Sequence, residues 1–220
     1  NAMGFPGGAL AVCCGSQSIF TNCTFTGNQS GGWGPPTGGG VYVEGASPDF
    51  IHVNFYGNSS TTTGIGGYGL VLSAGSTVDV TNSIFKNNNP DQIAFREDGE
   101  SNSLTVAYSN IQGGQDSIAT NDNGTVTWDN GNIDVNPMFV DTANGNYHLL
   151  ASSQLINAGD PITFDSDGSR ADIGAYPYLN SYSGPTWYIT EAGNDTTASG
   201  SSTDPFRSIQ AGINFANDAD

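Results

Sequence analysis

Asp165, Asp167 and Asp172 stand within the stretch DSDGSRAD, three acids around a central Gly168. Carboxylates spaced along a turn are hard oxygen donors, and Ca²⁺, which takes roughly six to eight oxygens, is the cofactor such a set would hold. The spacing lacks the further acid and terminal Glu of a full calcium loop. A turn in which these Asp side chains cap backbone amides, with one paired to Arg170, is therefore the competing reading. A second group is aromatic. Trp33 lies in the loop SGGWGPPTGGG and Tyr68 in GIGGYG, while Tyr42 and Tyr56 alternate with core-type residues and are expected to face outward. An exposed aromatic face stacks on a neutral sugar by covering its apolar C–H surface, with no charge required. Trp33, Tyr42, Tyr56 and Tyr68 are thus the candidate carbohydrate-binding residues, against the plainer possibility that Trp33 packs on its own loop.

Other chemistry is thinner. GIGGYG matches G-x-G-x-x-G, but a dinucleotide site needs a helix after that turn, and here another strand-like run follows. No G-x-S-x-G, H-E-x-x-H or C-x-x-C occurs, and His52 and His148 are the only histidines. Asp49 and Asp79 fall at equivalent places of successive repeats, where two carboxylates could work as a glycosidase pair. Arg96 could serve as the base of a lyase. Its neighbours Glu97, Asp98 and Glu100 fit a solvated, ion-paired turn as well. Cys23 takes an inward position as a small core residue. Cys14, at a turn, could bridge to it.

The elements that must position these groups are set by composition and repetition. Acids number 21 against 4 Lys and Arg, a formal net charge of −17. Nucleic acid and anionic membranes both select basic surfaces, so neither is an expected partner. No run approaches the ~20 apolar residues of a membrane span. With 31 glycines and 36% hydrophobic residues in 220, the chain suits many short strands around a thin core.

Phe25, Phe55 and Phe85 are equally spaced, each followed three residues on by Asn28, Asn58 and Asn88. Two residues before each Phe stand Cys23, Val53 and Ser83; five before stand Phe20, Phe50 and Val80. The frame continues through Ile111 and Ile133. Two period-2 runs with one residue inserted between them describe strands meeting at a corner. A third strand recurs upstream as GGALAV, GGGVYV, GYGLVL and QIAF. A unit this small buries its apolar face only by stacking on copies of itself. Stacking places Phe25, Phe55, Phe85, Ile111 and Ile133 in one interior column. Asn22, His52, Asn82, Tyr108 and Asn130 form a corner column, because Asn tolerates left-handed backbone.

This pattern, over residues 7–140, resembles the right-handed parallel β-helix of the pectate-lyase-like superfamily. The resemblance implies an all-β solenoid of about six coils and leaves function open, since one fold carries many activities. LINAGD at 155–160 followed by DSDGSRADIGAY at 165–176 resembles the closing segment of choice-of-anchor Q proteins, with Pro177 where that family has an acid. What this implies is a chain exported and held at a bacterial cell surface. The expected organisation is a β-helix at 4–178, a linker at 179–186, and a strand plus helix at 187–220. The helix is expected over 205–217, with Asp204 as N-cap, Pro205 at its first position and an apolar stripe of Phe206, Ile209, Ile213 and Ala216. It would cover an open end of the shaft, on its own molecule or on a neighbour, which would make it a route to self-association. A loosely held start of a further domain is the alternative. Two functions remain open: a non-catalytic surface module near extracellular polysaccharide, or a fragment of a polysaccharide lyase or glycoside hydrolase.

Overall fold

The computed structural model describes residues 8–30, 38–60 and 68–216. It divides into two compact units, Asn1–Asp134 and Val135–Asp220. In the first unit every strand pairs in parallel with the strand one circuit away, so the chain winds as a parallel β-solenoid. One sheet orders Leu10–Cys13, Val41–Glu44, Leu70–Ser73, Ile93–Phe95 and Ile118–Ala119. A second orders Ile19–Thr21, Asp49–Ile51, Thr77–Thr81, Asn102–Ala107 and Gly124–Trp128. The third orders Thr24–Thr26, Asn54–Tyr56, Ile84–Lys86 and Asn110–Ile111.

The solenoid amounts to about three turns rather than the expected six. Val41–Glu44, Leu70–Ser73 and Ile93–Phe95 have coil partners on both sides, and residues beyond Asp134 add no strand to the three sheets. From there the chain makes an antiparallel pair instead, Phe139–Asp141 with Asn146–Leu149.

Register explains the repeat. Phe25 lies opposite Phe55, Phe55 opposite Phe85, and Phe85 opposite Ile111. The Phe25 and Phe55 rings stack at 5.3 Å between centroids, and Phe55 and Phe85 at 4.3 Å. Phe20 stacks on Phe50 at 5.2 Å in a parallel column. Burying one such ring is worth about 1.5–3 kcal/mol, so a few columns suffice for a narrow shaft. Ile133 departs from the expectation: it pairs with Asn110, not with Ile111. A slip of one residue turns a side chain to the opposite face of a sheet, and Ile133 is absent from the shaft cluster.

The corners follow the expected column in part. Asn22, His52, Asn82 and Tyr108 all adopt left-handed backbone, with φ of 53°, 54°, 50° and 47°. In the next coil the left-handed residue is Gly131, φ 75°, in place of Asn130. At another corner Asn28, Asn58 and Asn88 form an amide ladder. The Asn28 Nδ2 donates to Asn58 Oδ1 at 3.0 Å and the Asn58 Nδ2 to Asn88 Oδ1 at 2.9 Å. Each lower amide also reaches back to a carbonyl, Asn58 to Phe25 and Asn88 to Phe55. Cys23 is free, half-buried and packed against the shaft, while Cys14 is bonded to its neighbour Cys13 rather than to Cys23.

The second unit carries the one α-helix among the described residues, Ile209–Ala216. It begins later than expected. Phe206 is held extended, its N–H donating to the Tyr188 carbonyl at 2.9 Å and its carbonyl accepting from Thr190 at 2.9 Å. Ser208 then serves as N-cap, its Oγ accepting from the Ala211 amide at 3.2 Å. The Asp204 carboxylate instead caps the Ser199 amide. The buried face differs too. Ala211, Gly212 and Phe215 face inward, whereas Ile209 is 72% and Ile213 47% exposed. Asn214 ties the helix to its own unit, donating to the carbonyls of Ala151 at 2.9 Å and Ser153 at 2.7 Å.

Candidate carbohydrate-binding cleft

Two of the expected platform residues, Tyr42 and Tyr68, are not exposed. Tyr42 and Tyr68 are 1% and 4% exposed and pack with Val71 and Ala94 in a cluster of their own outside the shaft. The cluster is completed by Ala119, packed against it. The Tyr42 hydroxyl is also committed: it donates to Ser73 Oγ at 2.9 Å and accepts from the Arg96 guanidinium at 2.9 Å. Ser73 in turn donates to Asp98 at 2.5 Å. Arg96, the basic residue considered for a lyase, is thus tied to a buried phenol. Burial pushes the Asp98 carboxyl up, and hydrogen bonds from Ser73, Ala74, Glu100 and Asn123 outweigh this and hold it below the usual carboxylate range. Tyr56 is half-buried, and its hydroxyl accepts from Asn87 Nδ2 at 3.0 Å. Trp33 lies outside the described residues.

The three candidate calcium ligands act on backbone. Asp172 is 1% exposed and accepts from the amides of Asn157 at 2.7 Å and Tyr178 at 2.6 Å. Burial pushes its carboxyl up to about 8; the two amide bonds pull the other way, and the Asp165 and Asp167 carboxylates add a smaller push upward. Asp165 Oδ2 accepts from the Asp172 amide at 2.9 Å. Asp167 Oδ1 accepts from Ser169 Oγ at 2.6 Å, and its Oδ2 from the Asn180 amide at 2.7 Å. Among the described residues no group of three or more His, Cys, Asp or Glu side chains is arranged to hold a metal ion. Arg170 turns to main chain, donating to the Gly159 carbonyl at 2.7 Å through Nε.

These capping bonds have a second consequence. By gripping the amides of Tyr178 and Asn180, Asp172 and Asp167 bend the following segment back over the DSDG turn. Asn180 Oδ1 accepts from the Tyr182 amide at 2.9 Å, and its Nδ2 donates to the Ser199 carbonyl at 3.0 Å. The Tyr182 hydroxyl donates to the Thr186 carbonyl at 2.7 Å, fixing its ring. Trp187 stands perpendicular to Tyr182, with centroids 5.1 Å apart, and stacks on Phe206 at 6.0 Å. Phe206 continues to Phe215 of the helix at 5.1 Å. Gly200 lets this stack close: at its φ of 79° a Cβ would lie 2.4 Å from the Phe206 ring.

Beside these rings lies a cleft of about 220 Å³, lined by Tyr182, Trp187 and Phe215 together with Asp167, Ser169 and Asn180. Sites for drug-sized ligands run to roughly 300–1,000 Å³, so this one admits a single ring. Burial raises the Asp167 carboxyl, but its bonds from Ser169 and Asn180 outweigh that and hold it low, so it lines the cleft as an anion. Of the expected site residues that are described, only Asp167 lines the cleft. Tyr182, Trp187, Asn180 and Phe215 lay in segments read as linker, strand and helix. The available signal was aromatic density: Tyr176, Tyr178, Tyr182, Trp187 and Tyr188 crowd one short stretch.

No protein-family model, curated protein or solved structure matches this chain.

Proposed function

We propose that the chain is a non-catalytic module of an exported bacterial surface protein, built on a right-handed β-helix and binding or spacing near extracellular polysaccharide. The observation that carries the binding part is the cleft, lined by aromatic rings together with hydroxyl, amide and carboxylate groups. Aromatic walls cover the apolar faces of a pyranose, and the polar side accepts and donates to its hydroxyls. A net charge of −17 weighs against polyuronates. The choice-of-anchor Q-like segment supplies the argument for a cell-surface location. Self-association through the exposed Ile209 and Ile213 belongs to the same proposal.

Binding to an array of neutral glycans, with and without EDTA, tests it. Retention of neutral glycans regardless of EDTA is the expected result. Loss with EDTA would transfer the site to calcium and to the DSDGSRAD acids. Absence of any glycan binding would remove the reading.

One observation favours the enzyme reading. Asp49 and Asp79 are direct partners across neighbouring coils. Burial and then the Asp79 charge raise the Asp49 carboxyl, as a general acid requires. Release of reducing ends from a neutral polysaccharide, abolished by Asp49→Asn and by Asp79→Asn, would establish it.

A further inference from the structure

We propose that the cleft selects a pyranose carrying a protonated amine, an amino sugar rather than a neutral or acidic one. This deepens the carbohydrate reading and rests on it. Two features of the cleft meet the two parts of such a ligand, its ring and its ammonium. Trp187 and Tyr182, perpendicular at 5.1 Å, present aromatic surface to a sugar ring. Aromatic faces also attract cations, Trp most strongly. Asp167 lines the same cleft. Three donors occupy it: Ser169 N at 3.1 Å and Ser169 Oγ at 2.6 Å on Oδ1, and Asn180 N at 2.7 Å on Oδ2. A carboxylate offers about four lone-pair sites, and besides these donors the Asp167 amide itself bonds to it, so a ligand donor meets the carboxylate at a shared oxygen.

A neutral ring would satisfy that site with a hydroxyl. An ammonium satisfies it with a charge-assisted bond, roughly twice as strong as a neutral one, and gains from the aromatic wall as well. A uronate places its carboxylate against Asp167 and is repelled. The same chain carries 21 acids and 4 basic residues, so the long-range field also draws cations toward it. No Lys or Arg lines the cleft to compete for the carboxylate.

The experiment is calorimetric titration of the whole chain with tetramers of glucosamine, N-acetylglucosamine, glucose and galacturonate, all in β-1,4 linkage or its nearest counterpart, at pH 6. The glucosamine tetramer should bind about tenfold tighter than the two neutral ones, and the galacturonate tetramer should not bind. The preference should shrink as salt is raised from low to about 0.5 M. In Asp167→Asn the glucosamine and glucose tetramers should become equal, and Trp187→Ala should weaken both. Because Asp167 also caps two amides, unaltered circular dichroism and a second measurement keep the result readable. With the unmodified protein, raising the pH past the amine's own titration should abolish the preference while neutral binding persists. Equal binding of charged and neutral tetramers would overturn the inference and leave the carbohydrate reading standing. Binding of no tetramer would overturn both.

Discussion

Truncating Asn58 to Ala should destabilise the solenoid far more than truncating Asn28, although both belong to one ladder. Asn58 is 0% exposed. Its Oδ1 accepts from the amide and the side chain of Asn28, each at 3.0 Å, and its Nδ2 donates to the Phe25 carbonyl at 2.8 Å and Asn88 Oδ1 at 2.9 Å. Removing it leaves the Asn28 N–H and the Phe25 C=O without these partners in a partly buried corner, at about 1–1.5 kcal/mol each. The Asn88 oxygen keeps the Asn58 amide, at 3.0 Å, so that end of the ladder loses little. The sum is about 2–3 kcal/mol. In Asn28→Ala only one side-chain bond disappears, and Asn58 Oδ1 still takes the Asn28 amide, so about 0.5–1 kcal/mol is lost. A gap of about 2 kcal/mol is roughly 30-fold in the unfolding equilibrium. Urea unfolding followed by circular dichroism, at unchanged m-value, measures both variants. If the two midpoints fall together to within about 0.5 kcal/mol, the ladder is a consequence of the fold and does not hold it.

Asp172 should make stability fall as pH rises. Between its ordinary 3.8 and about 8 the folded chain holds a proton that the unfolded chain has released. Stability contributed by this group is therefore complete below the lower value, lost through the window and constant above it. Urea midpoints across pH 4–9 should show this component in the unmodified chain and lose it in Asp172→Asn. Gly124→Ala should cost about 1–3 kcal/mol in the same assay, because a Cβ there would lie 2.1 Å from the Asn102 carbonyl oxygen of the preceding coil. On the helix, Ile213→Ser should change stability by less than about 0.5 kcal/mol, since Ile213 is 47% exposed. Phe215→Ala should cost about 3–5 kcal/mol, since it joins Trp187, Phe206 and Tyr178.

The stacked architecture was legible in the chain itself. Equal spacing of Phe25, Phe55 and Phe85 admits one economical arrangement, because identical side chains one circuit apart can then share one column. The left-handed corners at Asn22 and Asn82 were legible for the same local reason, the tolerance of Asn for positive φ. Where periodicity faltered, the reading faltered. The shortened last circuit moved Ile133 by one register, and the segment after Asp134 left the sheets. The helix stripe was mistaken because Phe206 is claimed by pairing with Tyr188 and Thr190, partners distant in sequence. Tyr42 sits on the outer side of a strand as alternation requires and Tyr68 just ahead of one, but what covers an outer face is a matter of neighbours and not of period. The cleft belongs wholly to the tertiary level: the hydrogen bonds of Asp167 and Asp172 to amides 13 and 6 residues onward bring the aromatic segment over the acidic turn. No local propensity encodes a contact between a carboxylate and an amide that only chain reversal brings together.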